Sequence, residues 1–207
     1  MTRTIQLSAS GGQPSNYFLD NFVAHELSLL TECGAPELSR KVNWIGAFIL
    51  TSAFVATLAP KKRTYVFNFL RRAEGAFSTY SEARNALIEY LQTPRNVVSP
   101  YFRALLNFEV CIAQCYQGYE LLATASGRKL FKPNDKSGAE RLCKLYVDSK
   151  HMDKMIDGGK LPTKATAAIW ITNEGLESKR ATVSFEELCR ILSNIGDLAD
   201  QLSTLRR

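Results

Sequence analysis

Between Lys62 and Gln92 apolar residues recur at spacings of three and four, with Val66, Phe69, Leu70, Ala73, Phe77 and Tyr80 in one register. That period buries one face of an α-helix. A second run opens at Ser99 and Pro100, where Tyr101, Leu105, Phe108, Ile112, Cys115, Tyr119 and Leu122 fall on one side of a helical turn. Two long one-sided helices therefore dominate what the chain can become, and an all-α bundle is the predicted fold class.

Punctuation divides the rest. A first helix is predicted from Asn16, a residue suited to N-capping, to Gly34, where glycine can take the left-handed conformation. A second runs from Pro36 to Ala59, since Pro60 cannot continue it. A fifth helix spans Ser137 to Asp157 and stops at Gly158 and Gly159. Ala168 to Ile171, around Trp170, reads as a short extended segment, and Thr172 to Gly175 as a turn. Ser184 with Glu187 forms a capping box for the last helix, whose buried side carries Phe185, Leu188, Leu192, Ile195, Leu198, Ala199 and Leu202. The sum is a single bundle of about six helices over residues 16–207, with residues 1–15 as a disordered lead-in lacking a secretory signal.

Trp44 to Ala59 is nearly free of charge, between Arg40, Lys41 and the cluster Lys61, Lys62, Arg63. Its length as a helix, about 24 Å, falls short of a hydrocarbon core of about 30 Å. The expectation is a buried central helix and no membrane partner. The five cysteines, Cys33, Cys111, Cys115, Cys143 and Cys189, form no Cys-x-x-Cys pair and fit reduced thiols in a cytoplasmic protein. Cys111 and Cys115, one turn apart, read as small core residues rather than metal ligands. No metal site or cofactor is called for: the glycine pairs lack the spacing of a phosphate loop, and no nucleophile elbow is present. His25, beside Phe18, Phe22 and Leu29, reads as a packed or boundary histidine.

A net charge of +6 favours acidic partners, RNA among them. The excess is spread evenly, with ten basic against seven acidic residues up to residue 100 and sixteen against thirteen beyond, so no basic tail exists. The loop Ser126 to Ser137 carries Arg128, Lys129, Lys132 and Lys136 and has the composition of either a solvated loop or a phosphate-contacting one.

On the fifth helix Leu142, Leu145, Tyr146, Met152 and Ile156 form an apolar stripe, and Lys144, Asp148 and His151 gather near the opposite side. The histidine is expected to face away from the core. Val147 and Met155 border this cluster and make a semi-apolar face that suits another subunit or a protein partner.

The segments Leu145-Tyr146-Val147-Asp148-Ser149-Lys150-His151, Ala168-Ile169-Trp170-Ile171-Thr172-Asn173-Glu174-Gly175-Leu176 and Val183-Ser184-Phe185-Glu186-Glu187-Leu188 resemble the carboxy-terminal part of HEPN-like bacterial helical proteins. The resemblance implies a compact helical bundle, often a homodimer, in a group with many metal-independent ribonucleases of toxin and antiphage systems. Those ribonucleases place an arginine ahead of a histidine with four to six residues between them. His151 matches the histidine, but the corresponding upstream positions hold Lys144, Leu145 and Tyr146. A lysine lacks the planar fork that grips phosphate in two places.

Two functions follow as expectations. In the first, a non-catalytic interaction or RNA-binding module, Arg128, Lys129, Lys132 and Lys150 contact nucleic acid. In the alternative, a ribonuclease, His151 acts as base or acid on an RNA that supplies its own 2′-hydroxyl. Lys144 would then stabilise developing charge and Asp148 would orient the imidazole.

Overall fold

The structure, a computed structural model, describes residues 16–40, 42–54, 58–94, 96–161 and 166–204; the expected lead-in lies outside them. Its frame is a pair of long helices, α3 (Pro60–Gln92) and α4 (Ser99–Ala125). They run antiparallel, because partners pair in opposite order: Arg72 with Gln114, Tyr80 with Phe108, Glu89 with Arg103, and Tyr90 with Tyr101. The stripe expected on α3 is buried throughout, and on α4 the stripe is buried from Tyr101 to Cys115. Each large side chain so enclosed contributes roughly 2 kcal/mol, against at most about 1 kcal/mol for an exposed ion pair. The core therefore outweighs the surface charges in holding this pair.

The last helix, α7 (Phe185–Ser203), packs across both, with Leu188, Leu192, Ile195 and Ala199 buried and Phe185 5.3 Å from Phe108, ring to ring. Ser184 caps it by accepting from Glu187 N–H at 3.1 Å. The reciprocal half of the expected capping box is missing among the described residues, because the Glu187 carboxylate instead pairs with Arg141. Arg141 belongs to α5 (Gly138–Lys150), which lies on α4.

A small antiparallel sheet closes this side: β1 (Trp170–Ile171), β2 (Gly175–Glu177) and β3 (Thr182–Ser184), in that order. Its register aligns Ile171, Leu176 and Val183 in one row, each fully enclosed. The Tyr101 hydroxyl accepts from Ile171 N–H at 3.3 Å and fixes the sheet to α4. Gly175 is required by close approach, since a Cβ there would stand 2.3 Å from the Val183 carbonyl oxygen. The extended segment at Trp170 is thus present, accompanied by two strands too short to show an alternating pattern.

The first two helices differ from expectation. α1 (Asn16–Phe22) ends early, followed by a single 3-10 turn at Leu27–Leu29. Asp20 draws the chain back by accepting from Ser28 N–H at 2.8 Å and Ser28 Oγ at 2.5 Å. Gly34 is no helix cap. Its N–H donates to the Asn173 carbonyl at 3.1 Å, and a Cβ would stand 2.2 Å from that oxygen. The carbonyls of Ala35 and Pro36 accept from Arg84 Nε and Tyr80 OH. With those groups engaged elsewhere no helix starts at Pro36, and α2 begins only at Trp44, spanning Trp44–Phe54.

The expectation of a buried central helix for this segment is also corrected. Trp44 and Phe48 point inward while Ile49 and Leu50 are exposed, so α2 lies on the surface. Among the described residues no helix is long and apolar enough to cross a membrane.

The fifth helix breaks at His151 into α5 and α6 (Met152–Asp157). This break shifts the helical phase: Met155 is buried whereas Met152 and Ile156, assigned to the core stripe, are exposed. Gly159, at φ 60°, ends the segment as predicted. The described residues thus hold seven α-helices where the sequence suggested about six.

Candidate functional site

The residues of the fifth-helix cluster are held by different partners. Lys144 Nζ lies 3.3 Å from Glu140, whose carboxylate also accepts from the N–H groups of Asn134 and Lys136. These bonds, that from Asn134 first, hold the Glu140 carboxyl below the usual range. Asp148 does not face outward. It is 1% exposed, and Arg180, from the turn between β2 and β3, approaches Oδ1 at 2.5 Å. The approach is an ion pair without hydrogen-bond alignment, and among the described residues both carboxylate oxygens lack hydrogen bonds. Asp148 therefore makes no hydrogen bond to the imidazole, which corrects its expected orienting role.

His151 is half-buried at the junction of α5 and α6, with φ −113° and ψ 39°. Its backbone serves both helices, as its N–H donates to Val147 and its carbonyl accepts from Met155. Among the described residues its ring makes no hydrogen bond. Met155, assigned to a partner-binding face, is enclosed by its own chain. His25 has the boundary position expected, packed edge-on against the buried Trp170 at 4.7 Å between ring centroids.

Cys111 and Cys115 are fully buried, as expected of core residues. Their mutual hydrogen bond, with burial, pushes the Cys111 thiol well above its ordinary value. Among the described residues no three potential metal ligands gather.

The predicted cations occupy two places. Arg128, Lys129 and Lys132 are exposed in the loop that leaves α4. Lys150 Nζ stands 5.6 Å from the centre of the Tyr146 ring, which stacks on Tyr116.

A further surface brings some of them together with residues not singled out from the sequence. Two adjoining hollows of about 590 and 580 Å³ follow the seam of α3 and α4, the first also lined by Leu202 of α7, and share Tyr65 and Thr124. Their α3 wall includes Lys61, Tyr65, Asn68 and Arg72, at spacings of four, three and four and hence on one helical face, with Lys62 and Val66 beside them in the first hollow. Gln117, Leu121 and Thr124 line the α4 side, and Tyr146 closes the furrow from α5. Because α3 and α4 are antiparallel, the lysines that begin α3 lie at the same end as Ser126, where the chain turns toward Arg128 and Lys129.

Among the described residues Lys61, Lys62, Arg63, Arg128 and Lys129 have no acidic partner. The one acid in the furrow, Glu120, accepts from the Tyr116 hydroxyl at 2.9 Å. A signal for this surface exists in the sequence. Between Pro60 and Ala73 there are five cations and no acid, with Glu74 the first carboxylate of α3. Reading Lys61 to Arg63 only as the flank of an apolar segment concealed it.

No family model, curated protein or solved structure matches this chain.

Proposed function

We propose that this chain is a HEPN-like helical module that binds RNA without cutting it, in a cytoplasmic setting. The observation that carries the reading is the acid-poor furrow along α3 and α4, with Lys61, Lys62, Arg128 and Lys129 at one end, none paired with an acid among the described residues. Cations without internal partners are available to phosphates, and binding by them releases counterions. The catalytic alternative is less well served. Lys144 is engaged by Glu140 and Asp148 by Arg180, so neither stands ready to assist His151.

The test is fluorescence anisotropy with labelled RNA over a range of salt. Four phosphate contacts on a single strand give a slope of about −2.8 in log affinity against log salt, or a roughly fiftyfold loss between about 50 and 200 mM. Lys61→Glu with Lys62→Glu should reduce that slope by about 1.4. Absence of salt-dependent binding at the lower concentration would overturn the reading. The RNA should also emerge uncut; shortening that persists with chelator and disappears in His151→Ala would replace this reading with the ribonuclease one.

A further inference from the structure

Tyr65 stands apart from the other tyrosines whose side chains are described. Tyr80, Tyr90, Tyr101, Tyr116 and Tyr146 each have a ring partner, and the Tyr119 hydroxyl donates to the Ile191 carbonyl. Tyr65 has neither a ring partner nor a hydroxyl partner among the described residues. It is half-buried, and it lines both hollows where they join. An aromatic side chain without a ring partner, lining a furrow at its midpoint, is available to a planar group that enters.

The charges around it are spaced along the same helical face. Lys61 precedes Tyr65 by four residues and Arg72 follows by seven, which is about 6 Å and about 10 Å along the helix axis. Arg72 donates to the Gln114 side chain at 2.9 Å and has no carboxylate partner. A ring flanked on both sides by cations matches a strand whose phosphates alternate with exposed bases. It does not match a duplex, whose bases are already stacked inside.

Resting on the RNA-binding reading above, we propose that Tyr65 is a stacking platform for an unpaired base, and that the furrow selects single-stranded over double-stranded RNA. Lys61 and Arg72 hold phosphates on either side, while the Tyr65 ring takes the base between them. Stacking of this kind tolerates any base, so the furrow discriminates strandedness rather than sequence.

The experiment uses the full chain with labelled polyuridylate and a blunt RNA hairpin duplex, comparing wild type, Tyr65→Leu, Tyr65→Phe and the Lys61→Glu, Lys62→Glu pair. Leucine retains apolar bulk while removing the flat ring, and circular dichroism verifies that each variant is folded. Expected is a five- to hundredfold loss of polyuridylate affinity in Tyr65→Leu, roughly the range of one stacking contact. Near-full retention is expected in Tyr65→Phe, and hairpin binding that is weaker in wild type should not change in either variant. If Tyr65→Leu binds polyuridylate as wild type does while the lysine pair loses affinity, the stacking role falls and RNA binding stands. Equal affinity for hairpin and polyuridylate overturns the strand preference. If neither RNA binds at low salt, both readings fall together.

Discussion

Removing Arg180 should cost far more than its exposed position suggests. The Arg180 side chain is 47% exposed, but the carboxylate it faces, Asp148, is 1% exposed and accepts no hydrogen bond among the described residues. Arg180 is thus its one counter-charge among the described residues, and Arg180→Met leaves a bare buried anion. Breaking a buried pair in this way costs about 3–5 kcal/mol; solvent screening of the guanidinium favours the lower end, about 3 kcal/mol. For a chain of this size each kcal/mol moves Tm by about 2–4 °C, so a fall of about 6–12 °C is expected. Asp148→Asn removes the charge itself and should cost only about 1 kcal/mol. The double variant should then resemble Asp148→Asn alone, giving a coupling energy of about 3 kcal/mol. Urea denaturation of the four proteins near neutral pH, followed by far-ultraviolet circular dichroism, measures the cycle. Arg180→Met within about 0.5 kcal/mol of wild type would show that the Asp148 anion has compensation other than Arg180.

Ser184→Ala should destabilise by about 1 kcal/mol, since the Ser184 hydroxyl accepts from Glu187 N–H at the start of α7, and a Tm unchanged within error would contradict that role. Burial raises the carboxyl of Glu109 above its ordinary 4.5, with a Ser149 hydrogen bond acting the other way. The fold thus favours the protonated form, and the stability this gives is full below 4.5 and lost as pH rises through the folded value. Glu109→Gln should therefore gain on wild type between about pH 4 and pH 7 in urea titrations, and a constant difference across that window would count against it.

The long helices were legible because their signal is local. A stripe such as Val66, Phe69, Leu70 and Ala73 requires only that one face of a helix be covered, whatever covers it. The Ser184 cap and the Gly159 stop are equally local, each satisfied within a turn of its own residue. For the same reason residues 16–40 misled. Their composition permits helix, but the groups that decide the matter lie elsewhere in the chain: Asn173 binds the N–H groups of Thr31, Glu32 and Gly34, and α3 takes the carbonyls of Ala35 and Pro36.

The candidate site divides along the same line. That Lys144, Asp148 and His151 share one helix, and that α3 opens with cations and no acid up to Glu74, is written in the residue order. Where those side chains point depends on elements remote in sequence. Arg180, 32 positions beyond Asp148, turns an apparent surface carboxylate into the buried half of an ion pair. The break at His151 exchanges Met155 for Met152 and Ile156 in the core. The furrow exists only because an antiparallel return brings Thr124 opposite Tyr65 while α5 adds Tyr146. Periodicity records which face of a helix is apolar; the partner that covers that face, and the charges left without one, are settled by packing between segments far apart in the chain.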